Sequence, residues 1–162
     1  EVLRVFGPTL SPFNAWQLLQ GIETLPVRME RHCANALAVA QFLESHPQVA
    51  WVNYPGLPSS RYHDLVKRYM PKGAGALLSF GIDGGSAAGV RFIEALQFIS
   101  HLANIGDAKS LVIHPASTTH RQLSEQDQIK AGVPPDMVRL SIGLETLADI
   151  IWDIEQALEA AR

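Results

Sequence analysis

A permanent charge placed in an apolar strand limits what this chain can fold into. The segment Met137-Val-Arg-Leu-Ser-Ile142 has the composition of a strand, and it sets Arg139 among apolar neighbours. A guanidinium stays protonated throughout the physiological range, so burying one requires an anionic partner or several acceptors. Its planar fork of donors matches a carboxylate two bonds at a time. Two arrangements meet that requirement: a core arginine paired with Glu145 or another nearby carboxylate, and a site that grips a small carboxylic acid. The segment Asn104-Ile-Gly-Asp107 favours the second. Gly106 lets backbone approach a ligand closely, and the Asn104 amide donates or accepts.

The rest of the chain supplies short strands bracketed by helices. Ser11-Pro12 predicts a helix start, a hydroxyl cap followed by proline at the first helical position, with helix to Ile22. Leu25-Pro26 breaks or kinks it, and a second run to about Ser45 carries Met29, Cys33, Ala36, Leu37, Ala40 and Leu43 at helical spacing. Val49 to Tyr54 and Ala76 to Ile82 read as strands closed by Pro-Gly and Asp-Gly-Gly turns. Short helices are expected at Tyr62 to Tyr69, Ser86 to Leu96 and Glu125 to Ala131, and short strands at Phe98 to Leu102 and Ser110 to Ile113. In the last helix Leu147, Ile150, Ile151, Ile154 and Leu158 form one apolar stripe, with Asp149, Asp153, Glu155 and Glu159 covering the other side. Thr146 is its expected cap, with Asp149 three residues on. The fold class is therefore α+β: a small, mostly antiparallel sheet with helices on one face.

The stretch Phe6 to Leu19 fits such a domain poorly. Phe13, Trp16, Leu18 and Leu19 cannot all point at one core, and a helix apolar on most sides is usually buried between units. Packing against a further domain or another subunit is one reading; a central position in its own domain is the other. The expected division is residues 1–46 as linking helices and 47–162 as a small α+β domain. The start at Glu1-Val-Leu-Arg suits either a trimmed small protein or a piece of a longer one.

Composition excludes several functions. With 162 residues and 47% apolar side chains the chain can bury a core. A net charge of -3, with basic residues scattered singly, is not the footprint of a nucleic-acid or anionic-membrane binder. No apolar run is long enough to span a bilayer. The single cysteine, Cys33, makes no internal disulfide and fits a reducing, cytoplasmic setting. The six histidines lack metal-binding spacing, and His114 and His120 are expected as hydrogen-bonding loop residues. Asp83-Gly-Gly-Ser86 lacks both the P-loop lysine and dinucleotide-binding glycine spacing, so a plain turn is expected. No Gly-x-Ser-x-Gly elbow occurs.

Six phrases carry a resemblance that runs almost end to end. They are Leu10-Ser-Pro-Phe-Asn-Ala15, Gln20-Gly-Ile-Glu-Thr-Leu-Pro26, Arg28-Met-Glu-Arg-His32, Val52-Asn-Tyr-Pro-Gly-Leu57, His114-Pro-Ala-Ser-Thr-Thr-His120 and Arg139-Leu-Ser-Ile-Gly-Leu-Glu145. In these the chain resembles the C-terminal part of the Cys/Met metabolism family of pyridoxal-phosphate (PLP) enzymes, cystathionine γ-synthase-like and of fold type I. Within it the O-acetylhomoserine sulfhydrylase branch is the most similar.

The resemblance implies a transferase of methionine biosynthesis that replaces the acetate of O-acetylhomoserine with sulfide or a thiol, giving homocysteine. It implies that Arg139 holds the substrate α-carboxylate, that Asn104 assists, and that Thr119 lines the same pocket. Relatives forming or cleaving cystathionine often carry glutamate where Lys109 stands. A lysine there repels a distal ammonium and suits a small sulfur nucleophile. The family's Schiff-base lysine lies in a Ser-x-Thr-Lys context, which none of Lys67, Lys72, Lys109 and Lys130 shares. Cofactor binding and catalysis are thereby assigned to a large domain outside this chain, and the chain alone is expected to be inactive. A homotetramer is implied for the whole protein. A methionine γ-lyase, a cystathionine γ-synthase, and a non-catalytic carboxylate-binding or oligomerisation module are the alternatives.

Overall fold

Strands too short to be stable singly need a covering layer, and here three helices provide it from one side. The computed structural model describes residues 2–7 and 9–162; Glu1 and Pro8, within the expected linking segment, lie outside them. Helices α1 (Val2–Phe6), α2 (Pro12–Glu23) and α3 (Leu25–Ser45) come first, then β1 (Val49–Asn53), α4 (His63–Tyr69) and β2 (Leu77–Ile82). They are followed by α5 (Gly85–Ala95), β3 (Ser100–His101), β4 (Leu111–Ile113), α6 (Glu125–Lys130), β5 (Met137–Ser141) and α7 (Leu147–Ala160). The sheet order is β1-β2-β5-β4-β3, and every pairing is antiparallel except β3 with β4. The α+β class and the mostly antiparallel sheet are thus as the sequence implies.

Side chains alternate across a strand, so each strand has a covered and an open face. Leu78, Phe80 and Ile82 of β2, with Val138 and Leu140 of β5, point into one core with Ala36, Val39, Ala40 and Leu43 of α3. Phe92 of α5 and Ile150, Ile154 and Leu158 of α7 complete it, with Phe80 and Phe92 edge-to-face at 5.6 Å. The opposite face carries Asn53, Ser79 and Arg139 in one cross-strand row, set by the pairs Asn53 with Ser79 and Ser79 with Arg139.

Several local expectations are corrected by packing. The inward stripe of α3 is His32, Asn35, Ala36, Val39, Ala40 and Leu43, rotated away from the predicted one, and Met29 is exposed. Two polar side chains turn inward because backbone carbonyls at the end of β5 await them. Helix α3 ends at Ser45; its first turn is exposed, while its second half packs into the core. The break expected at Leu25-Pro26 falls at Thr24, between α2 and α3, with Pro26 in the first turn of α3. Thr146 caps α7 by position, yet its hydroxyl makes no capping bond.

Asp153, expected on the solvent side of α7, is fully buried. Its carboxylate accepts the backbone N–H groups of Gln97, Phe98 and Ile99 at 2.7–2.9 Å. That anchors the segment after α5 and leaves only Ser100–His101 of the expected Phe98–Leu102 strand paired. In contrast, α2 begins as predicted, with Ser11 accepting the Asn14 N–H after Pro12. None of its residues is buried: Phe13, Trp16, Leu18, Leu19 and Ile22 are all exposed.

Candidate anion site on the open face of the sheet

Arg139 sits at the centre of β5, flanked in register by Ser79 of β2 and Ile113 of β4. Its neighbours Val138 and Leu140 take the covered face, so Arg139 goes to the open one and is half-buried. The sequence expectation of a fully buried guanidinium is corrected accordingly. Among the described residues no carboxylate oxygen lies within 4.0 Å of it; the ion pairs there are Lys67 with Asp64 and Lys130 with Asp127, both on the surface. Among the described residues its guanidinium makes one hydrogen bond, a long one, 3.5 Å from Nη2 to the Asn104 carbonyl oxygen. A half-buried guanidinium with so few acceptors keeps donors to spare.

Glu145, the partner that a structural arginine would use, is committed elsewhere. Its carboxylate accepts both the backbone N–H of Ser110 and the Ser110 hydroxyl, the latter at 2.9 Å. Beside Arg139 opens a shallow cavity of about 250 Å³, lined by Asn53, Pro55, Leu77, Leu78, Ser79 and Met137. A larger cleft of about 700 Å³ lies between α3 and residues 69–75, lined by Pro26, Met29, Cys33 and Tyr69. Its charged groups are Glu30 and Lys72, of opposite sign. The smaller cavity differs in being lined by a single charged group, Arg139.

Asn104 reaches Arg139 because the parallel strands β3 and β4 are joined by a short crossover, residues 102–110, that runs over the open face. The Gly106 N–H donates to Ser141 Oγ at 3.3 Å, and Gly106 itself has φ +77°, a conformation glycine adopts without strain. The structure therefore brings Asn104 and Arg139 together, through the asparagine's main-chain carbonyl. Its side-chain oxygen accepts the Ile105 N–H at 2.9 Å. The carboxamide nitrogen makes no hydrogen bond among the described residues, which leaves two donors free. Lys109 is on the same crossover, exposed, its N–H donating to Asp107. Thr119 is exposed in the turn after a 3-10 segment at Pro115–Ser117, and its hydroxyl pairs with His120 Nδ1 at 2.9 Å, not with Arg139 or Asn104.

His114 fills the loop role expected of it. Its Nε2 donates to the Pro135 carbonyl at 2.8 Å and its Nδ1 faces Ser117 Oγ at 2.9 Å. Two residues were missed by sequence reasoning. Buried His32 bonds through Nδ1 to the Ile142 carbonyl at 2.7 Å, and Asn35 Nδ2 donates to the carbonyls of Gly143 and Glu145. The signal was two polar residues one turn apart on the inner side of a helix, which the apolar stripe concealed. Among the described residues no cluster of His, Cys, Asp or Glu is placed to hold a metal, and no helix is long and apolar enough to cross a membrane.

Comparison with known proteins decides the family. The family of Cys/Met metabolism PLP-dependent enzymes matches residues 1–159. The chain belongs to that family. An O-acetyl-L-homoserine sulfhydrylase of Leptospira meyeri is 58% identical over 97% of this chain, and O-acetyl-L-homoserine sulfhydrylase 1 of Thermus thermophilus is 54% identical over 96%. A chain from Campylobacter jejuni assigned as an O-acetylhomoserine (thiol)-lyase, solved with a pyridoxyl-lysine monophosphate, superposes with TM-score 0.87 at 51% identity. It is matched over 97% of this chain and 37% of its own length. The chain spans 36% and 37% of the length of the two sulfhydrylases.

A PLP-binding lysine requires a desolvated pocket that lowers its affinity for protons. The family member's own lysines do not offer one: Lys67, Lys72, Lys109 and Lys130 are all exposed, two of them paired with aspartates on short surface helices. The residues present fit a carboxylate and do not fit covalent attachment of the cofactor.

Proposed function

We propose that this chain provides the α-carboxylate clamp of an O-acetylhomoserine sulfhydrylase, a transferase that exchanges acetate for sulfide to give homocysteine. The observation that carries the reading is Arg139, half-buried on the open face, beside Asn104 and without a carboxylate partner among the described residues. The name shared by relatives at 58% and 54% identity supports the substrate. A substrate carboxylate binds the guanidinium fork bidentately, and the free Asn104 carboxamide donates to the same anion. Ser79, next to Arg139 in register, supplies a further hydroxyl on that face. Fixing the carboxylate fixes the rotation of the amino-acid carbon, which is the contribution positioning makes to a rate. The electron-withdrawing chemistry belongs to pyridoxal phosphate, held outside this chain.

Lys109, exposed on the same crossover, sets the preference for sulfide or a neutral thiol over a nucleophile bearing a second ammonium. Thr119 lines the pocket on this reading once substrate is bound. Residues 47–162 act as the small domain, with 1–46 linking it to the cofactor-binding one, in a cytoplasmic homotetramer. Arg139→Lys in the whole protein tests the clamp. Replacing a bidentate fork with a point charge should raise KM for O-acetylhomoserine by about 10- to 100-fold, the equivalent of one charged hydrogen bond lost. KM for sulfide should stay unchanged. An unaltered KM for O-acetylhomoserine overturns the reading.

A further inference from the structure

The crossover that carries Asn104 and Lys109 is exposed almost throughout, yet its last residues are tied down by a compact set of bonds. All of them converge on the segment that follows Arg139. Ser110 gives both its backbone N–H and its hydroxyl to the Glu145 carboxylate. The same hydroxyl oxygen accepts the Gly143 N–H at 2.9 Å, and the Leu144 N–H donates to the Ala108 carbonyl at 2.9 Å. Gly143 is glycine for a steric reason: a Cβ there would lie 2.5 Å from the Ala108 oxygen. From the other side Asn35 of α3 holds the carbonyls of Gly143 and Glu145 at 3.1 and 3.0 Å. Resting on the reading of Arg139 as a carboxylate clamp, we infer that Glu145 is a positioning residue, whose carboxylate locks residues 104–110 at the distance from Arg139 that lets both grip one anion.

The geometry explains why a charged residue is used. Two donors on one residue, a backbone N–H and a hydroxyl, are matched by the two oxygens of a carboxylate, and ionised acceptors make the stronger bonds. A glutamine retains one oxygen for the N–H and offers its nitrogen to Ser110 Oγ, which already accepts from Gly143. The lock then loosens by about half instead of opening.

Steady-state kinetics on the whole protein, with a thermal midpoint for each variant, tests the assignment. Arg139→Lys is the reference: if it leaves KM for O-acetylhomoserine unchanged, the clamp reading falls and this one with it. Where Arg139→Lys raises KM, Glu145→Ala should raise it roughly tenfold with kcat within about twofold, because displacement of a binding group costs affinity before chemistry. Glu145→Gln should fall between, a partial rescue that a purely structural role would not give. A Glu145→Ala enzyme with normal KM, whatever its thermal midpoint, overturns the inference while leaving the clamp intact. Should that variant yield no folded protein, Ser110→Ala takes its place, removing the hydroxyl and keeping the N–H. A raised KM at unchanged kcat then supports the lock, and an unchanged KM refutes it.

Discussion

Asp153 and Arg139 are both charges set in apolar elements, on opposite sides of one sheet. Asp153, on α7 over the covered face, is fully buried and saturated by its own chain: three backbone N–H groups and the Gln156 carboxamide converge on it. Arg139, on the open face, is half-buried and has one long bond to a carbonyl. A buried charge whose acceptors or donors are all supplied internally holds structure together. A charge that the fold positions but leaves short of partners is available to a ligand. Burial alone, which the sequence hints at for Arg139, does not separate the two; the list of partners does.

The difference is sharpest in stability. Asp153→Ala strands three backbone N–H groups at once, that of Ile99 buried, and should destabilise by about 3–5 kcal/mol, the range seen when one side of a buried charged network is removed. Asp153→Asn, which keeps an acceptor, should recover part of that. Loss of less than about 1 kcal/mol in the alanine variant, on a urea unfolding curve, would mean water reaches those N–H groups and would remove the contrast with Arg139.

A second test stays on the covered side. Gly89 is interior to α5, where alanine ordinarily gains about 1 kcal/mol over glycine. Here a Cβ would come 2.8 Å from His114 Cδ2, and the ring is held at both nitrogens. Overpacking should win, so Gly89→Ala should cost about 1–3 kcal/mol. A stabilised variant would show that His114 is free to move.

Tyr54 offers a pH test of the same contrast. Burial, with Cys33 adding to it, pushes its hydroxyl up to about 12 from the usual 10, and that hydroxyl donates to the Gly75 carbonyl at 2.9 Å. The folded state therefore keeps a proton that the unfolded chain releases, so stability is full below pH 10 and falls as pH rises from 10 to about 12. Tyr54→Phe should flatten that part of the thermal midpoint curve. An identical alkaline slope in both proteins would place the loss elsewhere.

How much of this is legible in the sequence follows from which interactions are periodic. The strands, the apolar stripe of α7 and the Ser11-Pro12 helix start were legible because they are local patterns. The family was legible too, since its phrases are continuous. Asp153, His32 and Asn35 were not, because their partners are backbone groups more than fifty residues away and a polar residue on a helix reads as solvent-facing by default. Arg139 was legible as a charge in an apolar strand but its setting was misjudged: the odd residues of β5 face the open side. Glu145 was visible only as a possible partner of Arg139, since its bond to Ser110 crosses 35 positions.

The smallest effect is the most discriminating. Arg139→Met keeps an unbranched stem at the cavity that Leu77 and Met137 also line, and deletes the charge. If the guanidinium belonged to the structure, as Asp153 does, its loss would cost several kcal/mol. With no carboxylate partner among the described residues and one bond at 3.5 Å, it contributes little to folding, and a half-desolvated charge carries a penalty of its own. The expected change in unfolding free energy is therefore within about 0.5 kcal/mol, as for a substitution away from any network. Carboxylate binding should nevertheless be abolished. A destabilisation comparable to that of Asp153→Ala would make Arg139 a structural residue, and the open face would then hold no site.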